Sequence, residues 1–348
     1  MLKIKRYKLG LILVILAAGL LGALLLASAL GAVDIAFTDT IKMVLSKIVS
    51  IPTTWRGVDE TIIFQIRLPR AIGGALVGAA LATAGVLFQG LLRNPLADPY
   101  IIGTSAGAAL GATLAMMIPI TTTFLGFGLV PIFAFIGALL TVLLVYYLAR
   151  VGGKTPIISM LLAGFIVSSL LGAVILFLMA MSGRLNLELR SVYSFMAGHL
   201  SVGNWGQLAL IAPLVIGGLI GARFFAFHLN AFSLGEEGAA YLGIEVERDK
   251  IAILALGSVL TAAAVSISGL VGFVGLVTPH AVRLILGPDH RLLIPTAALT
   301  GGIFVVITDI VARTVLAPAE IPLGIITALI GAPFFIYLLR RTKREYAF

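Results

Sequence analysis

Ten apolar stretches recur along the chain, and they leave little else to fold. They fall near Gly10–Leu30, Pro69–Leu92, Tyr100–Ile118, Phe124–Ala149, Pro156–Met181, Trp205–Phe225, Ile251–Ile267, Gly272–Leu286, Pro295–Ala312 and Leu323–Leu339. A helix needs about 20 apolar residues to cross a bilayer core. Most of the stretches meet that length. Gly272–Leu286 is short, and glycine interrupts Tyr100–Ile118. Of the 348 residues, 60% are hydrophobic and only 11% are charged. A soluble domain carries about a quarter charged residues, so this chain lacks the polar groups to cover itself in water. In lipid the outer surface can stay apolar. The reading is an all-α integral membrane protein with about ten transmembrane helices, residues 1–348 forming one transmembrane domain.

The first stretch follows Lys3, Lys5, Arg6 and Lys8, and Ala27-Ser28-Ala29 looks like a signal cleavage site. The run from Leu9 to Leu30 exceeds the usual apolar region of about 7–15 residues. It is expected to stay as a first span. An even number of spans puts both termini on one side. With the termini inside, two thirds of the 24 Lys and Arg residues fall on inner segments. That is the bias that orients membrane proteins. It also accounts for the net charge of +9 without nucleic acid.

Glycines number 39, many at small-xxx-small spacing such as Gly74 with Gly78 and Gly103 with Gly107 and Gly111. Such faces let helices approach closely in lipid. Two proline-bearing breaks, Asn94–Pro99 and Thr278-Pro279-His280, are candidates for lining a pathway, because irregular backbone survives at membrane depth only against protein or water.

Several chemistries are excluded. Gly153-Lys154-Thr155 ends like a phosphate-binding loop, but Leu148 stands where its first glycine must be and an apolar helix precedes it. The four histidines are scattered, and there is no cysteine, so no metal-ligand set is visible. Asp309 sits within an apolar stretch with Arg313 four residues on. They share a helix face, as a local ion pair or as the titrating group of an ion-coupled carrier.

Two polar segments stand out. Residues 228–250 are too polar to span, and their centre, Leu234–Gly243, favours a short helix bracketed by glycines. It reads either as an interfacial loop or as a helix that docks on a partner. Arg67 and Arg70 lie on the outer side, against the topogenic bias. They suit either lipid headgroups or an acidic protein.

Taken together, these pieces resemble the permease family of type II ABC importers for ferric siderophores, haem and cobalamin. The resemblance rests on Gln65–Arg70, Val77–Leu81, Asn94–Pro99, Leu161–Gly164, Leu234–Gly243, Gly272–His280, Asp289–Arg291, Asp309–Arg313, Glu320–Gly324 and Gly331–Phe335, in that order. It covers nearly the whole chain from Gln65.

The resemblance implies the type II importer permease fold and no enzymatic activity in this chain. It implies a homodimer or pseudo-dimer in a bacterial or archaeal cytoplasmic membrane. Two separate ATPase subunits would hold ATP and Mg, this chain would bind no cofactor, and an external binding protein would deliver the substrate. The coupling segment, about 230–250, would meet the ATPase through Leu234, Gly235, Glu236, Glu237, Ala240, Leu242 and Gly243. Asn94, Pro95 and Leu96, with Ile157 and Ile158, would form the cytoplasmic gate. Arg67, Arg70 and Arg313 would meet acidic residues of the binding protein. Some cobalamin importers carry small hydroxyl residues at the second gate position, where this chain has Ile157 and Ile158. The cargo is therefore expected to be a ferric siderophore or haem, with cobalamin as the alternative. An ion-coupled carrier is the reading of another class.

Overall fold

The computed structural model describes residues 6–345 apart from 32, 34, 48, 50–51, 54, 120–122, 124–125 and 186. Lys3, Lys5 and Phe124 lie outside the described residues. In chain order the helices are α1 (Arg6–Ala29), α2 (Phe37–Ser46), α3 (Gly57–Thr61), a π-helical turn (Ile62–Arg67), α4 (Leu68–Leu91), α5 (Thr104–Met116), α6 (Leu129–Ala149), α7 (Ile157–Ala180), α8 (Ser182–Leu185) and α9 (Leu189–Ala197). They continue with α10 (Trp205–Phe224), α11 (Ala226–Phe232), α12 (Glu236–Tyr241), α13 (Val246–Ser268), α14 (Val274–Leu286), α15 (His290–Thr314) and α16 (Leu323–Glu345).

Each expected stretch contains one of these helices, and among the described residues seven helical runs are long and apolar enough to cross a membrane unaided. Two fall well short. α5 and α14 have 13 residues each, a rise of about 20 Å. Irregular backbone leads into both helices, and protein groups satisfy it as lipid requires. Gly103 N donates to Tyr100 O (2.9 Å), and Leu270 N donates to Phe195 O (3.0 Å). The Tyr100 hydroxyl donates to Val271 O (3.0 Å) and ties the two lead-in segments together.

The centre of the bundle is α4, buried along most of its length between α13, α14 and α15. Small residues make this possible. A Cβ on Gly78 would overlap the carbonyl of Gly301 in α15, and one on Gly85 would overlap the carbonyl of Gly275 in α14. Backbone therefore meets backbone at both crossings, and dispersion replaces the hydrophobic drive that lipid removes. By contrast α1, α6, α7 and α10 bury less than a third of their apolar windows. Their outer faces are free for lipid or a second copy.

Contacts define two ends. At one end, Trp205 Nε1 donates to Phe64 O (2.9 Å), and Gln207 Nε2 donates to Gly126 O (3.0 Å). The other end carries the turn after α4, the turn before α7 and the α11–α12 segment.

Candidate functional site

The turn after α4 is built by residues that end a helix sharply. Arg93 takes a left-handed backbone conformation, φ 50°. Asn94 then folds back: its N donates to Gln89 O (3.1 Å), and its Oδ1 accepts from Leu96 N (2.9 Å). Pro95 and Pro99 supply no backbone donor and keep the chain from resuming a helix. Asp98 Oδ1 accepts from Tyr100 N (2.8 Å). Desolvation pushes the Asp98 carboxyl up to about 6, although the Tyr100 hydrogen bond opposes it. Leu96 is 56% exposed at the tip.

The second expected gate segment begins α7. Ile158 is 80% exposed, while Ile157 packs inward. Arg93, Ile157 and Ile158 share the walls of a cavity of about 330 Å³ with Glu236 and Lys250. The structure thus brings Arg93 of the turn after α4, the start of α7 and the α12 region around one space.

The polar segment between α10 and α13 holds two short helices, α11 and α12. Gly235 and Gly243 bracket α12 with φ of 94° and 82°, a conformation that penalises any side chain. Leu234 and Leu242 are exposed, and Tyr241 is 91% exposed. Glu237 also faces outward, but Glu236 turns inward to Lys250 Nζ (2.8 Å). On the other flank, Asn230 fastens α11 to the start of α15. Its Nδ2 donates to Asp289 Oδ1 (2.7 Å), and its Oδ1 accepts from His290 N (2.9 Å). Burial pushes the Asp289 carboxyl up, but the Asn230 and Arg291 hydrogen bonds and nearby positive charge hold it below its ordinary value.

Of the three arginines expected to meet a binding protein, Arg67 and Arg313 are buried in the protomer and cap α1. Arg67 donates to Ser28 O (3.1 Å), Ala29 O and Val33 O. Arg313 donates to Ala27 O (3.1 Å) and Leu30 O (3.3 Å). Cations suit the carbonyl end of a helix. The π turn ends at Arg67, where α4 begins. Arg67 reaches α1, while Arg70, three residues on, reaches α15. Arg70 bonds Asp309 Oδ1 (3.1 and 3.0 Å) and grips both oxygens of Glu320 (2.9 and 2.8 Å). Asp309 Oδ2 lies 2.9 Å from Arg313 Nε. Asp309 is thus an ion-pair partner of both Arg70 and Arg313. Burial pushes the Glu320 carboxyl up, and the hydrogen bond and charge of Arg70 outweigh it, leaving it below its ordinary value.

Sequence reasoning missed Asn230, Thr155, Glu247 and Lys250. Glu247 and Lys250 stand three apart on a helix, a signal visible in advance. The Thr155–Glu247 contact spans 92 residues and left none.

Membrane-depth helices, two short helices entered through irregular backbone and an exposed polar segment between spans define a multi-pass membrane protein. The FecCD transport family matches residues 15–341. The cobalamin import system permease protein BtuC of Halobacterium salinarum is 49% identical over 82% of this chain and 75% of its own. The hemin transport system permease protein HmuU of Yersinia pestis is 40% identical over 81% of this chain and 84% of its own. A solved metal-chelate type ABC transporter in an inward-facing conformation covers 95% of this chain and 99% of its own, with TM-score 0.78 and 30% identity. The chain belongs to the FecCD transport family. It is the membrane-spanning permease subunit of an ABC importer, and ATP hydrolysis resides in separate subunits. That assignment replaces the ion-coupled carrier.

Proposed function

We propose that this permease forms a homodimer that passes a corrinoid inward, driven by two ATPase subunits docked on its α12 face. The observation that carries the docking is Tyr241, 91% exposed on a helix held between two glycine caps. An exposed aromatic on a rigid short helix suits a partner's groove. Leu234, Gly235, Glu236, Glu237, Ala240, Leu242 and Gly243 complete that segment. The positive-inside bias puts this face, and both termini, in the cytoplasm.

Asn94, Pro95 and Leu96, with Ile157 and Ile158, form the gate. Leu96 and Ile158 leave the protomer as exposed apolar tips, and two copies meeting there would close by excluding water. The mechanism is alternating access: ATP binds one conformation of the assembly more tightly and shifts the population toward it. This chain itself holds no cofactor; ATP and Mg belong to the ATPase subunits. The external binding protein docks at the opposite end, where Glu320 keeps a third of its side chain exposed in front of Arg70.

The cobalamin permease relative at 49% identity, against 40% for the hemin permease, favours a corrinoid over the ferric siderophore or haem expected from sequence. The apolar pair Ile157–Ile158 keeps haem as the second reading. The test is uptake into proteoliposomes holding the permease, its ATPase and its binding protein. Cyanocobalamin, haemin and a ferric hydroxamate are offered separately. ATP-dependent accumulation of cyanocobalamin alone is expected. Accumulation of haemin alone replaces the cargo, and accumulation without ATP overturns the importer.

A further inference from the structure

Glu236 is the only acidic side chain of α12 that turns inward, and its partner is unusually placed. Lys250 lies one turn into α13, with 9% of its side chain exposed. Its ammonium sits between two carboxylates, 2.8 Å from Glu236 Oε1 and 3.0 Å from Glu247 Oε1. Glu247 uses its other oxygen elsewhere. Oε2 accepts from both the backbone N (3.0 Å) and the hydroxyl (2.7 Å) of Thr155. Thr155 stands two residues before α7 begins at Ile157. Behind it, Val151 and Lys154 close a tight turn through paired backbone bonds of 2.9 and 3.1 Å. The chain of contacts therefore runs from α12, through Lys250 and Glu247, to Thr155, two residues before α7. The first joint is an ion pair, and the joints made by Glu247 are charge-assisted hydrogen bonds, stronger and more directional than neutral ones. A solvated charged face would not split one carboxylate between two elements or bury the lysine that joins them.

We propose that Lys250 and Glu247 are positioning residues that transmit movement of α12 to the Ile157–Ile158 end of α7. Neither touches the cargo or the nucleotide; they act by fixing α7 to the helix that the ATPase moves. The inference rests on the ATPase-docking reading of α12. Lys250 balances two carboxylates, so removing it leaves Glu236 and Glu247 repelling each other across a half-buried gap. The start of α7 then no longer follows α12.

The chain has no cysteine, so single cysteines can carry spin labels without background. Labels at Ala240 on α12 and at Ile158 on α7 are measured in separate samples of the assembled transporter, in nanodiscs, with cysteine-free ATPase subunits. Distances between the two copies are compared without nucleotide and with ATP trapped by vanadate. In the parent complex both distances shift. In Lys250→Met the Ala240 shift persists while the Ile158 shift falls about 5-fold or more, the size of a typical coupling between sites. Glu247→Gln, which cuts a different joint, behaves likewise, and Lys250→Arg restores the Ile158 shift. Each variant must still bind and hydrolyse ATP with its partners, a readout that misfolding would abolish. An Ile158 shift of full size in both Lys250→Met and Glu247→Gln overturns the link while leaving docking intact. An Ala240 distance indifferent to the ATPase and nucleotide in the parent complex overturns the docking reading, and the link with it.

Discussion

Asp309→Asn is the sharpest test of how the end of the bundle opposite α12 is held. Asp309 keeps 3% of its side chain exposed and lies against two guanidiniums, Arg70 at 16% and Arg313 at 7%. Removing its charge leaves Arg313 buried without a carboxylate and Arg70 with Glu320 alone. Breaking one partner of a buried pair costs about 3–5 kcal/mol. The carboxamide still accepts from Arg70, so the expected loss is about 3 kcal/mol. Glu320→Gln is the control, because it contacts the same Arg70 from a site that is 34% exposed. Solvent screening reduces its expected cost to about 1 kcal/mol or less. The assay is thermal unfolding of the purified permease in detergent, with no partner present. Asp309→Asn should unfold well below Glu320→Gln. Equal midpoints would show that burial does not set the strength of this network, and would return Arg70 and Arg313 to a role outside the protomer.

Three further outcomes follow from the geometry. Asp98→Asn should stabilise the permease at pH 7.5 by up to roughly 3 kcal/mol. The Asp98 carboxyl is raised from 3.8 to about 6 on folding. Its stability contribution is therefore complete below 3.8 and lost as pH rises through about 6, so the gain from asparagine should vanish in unfolding scans near pH 3.5. Tyr241→Asp should leave the unfolding midpoint unchanged, since the ring is 91% exposed, yet weaken ATPase co-purification by about 30-fold or more if it is an interface anchor. Gly78→Ala should cost at least about 1–3 kcal/mol in the same thermal assay, because the new methyl meets the Gly301 carbonyl, which cannot rotate away.

How far the sequence reveals this architecture depends on the range of the forces involved. Each apolar stretch read from hydropathy contains a helix, because a lipid solvent imposes a similar length and composition on the spans. The exception is instructive. Pro69 reads as the start of a span, yet the helical run begins at Gly57 and passes through the π turn at Ile62–Arg67 before reaching it. A proline inside a helix lacks a donor, and a widened turn just before it accommodates the loss. No periodicity rule anticipates that turn. Asp309 and Arg313 were legible as a pair because they are four residues apart. Their partner Arg70 was not, because 239 residues separate it from Asp309 and only packing brings them together. The same holds for Thr155 and Glu247.

The proposed link also fixes where the coupling should be weakest. Reversing a two-state equilibrium from 1:99 to 99:1 requires about 5.5 kcal/mol of differential binding. A hydrogen bond to a charged group contributes about 1.5–3 kcal/mol. The joints from α12 to α7 act in series, so the weakest one limits what each copy can transmit. Glu247 to Thr155 is doubly bonded, and Glu247 to Lys250 lies within one helix turn. The Glu236–Lys250 joint is a single contact whose carboxylate is 42% exposed, and water competes for it. Even two copies acting together then bring only about 2 kcal/mol or less to bear, short of full reversal. The second attachment supplies the rest of the argument. Asn230 fixes α11 to Asp289 and His290 at the head of α15, and α15 crosses α4 at Gly78 and Gly301. Movement of the α11–α12 segment thus has two paths, one through Asn230 and the close crossing of α15 on α4 toward the Asn94 turn, and one through Lys250 and Glu247 toward Ile158. The Asn94 turn should follow the nucleotide closely, and the start of α7 should follow it only while Lys250 keeps its charge.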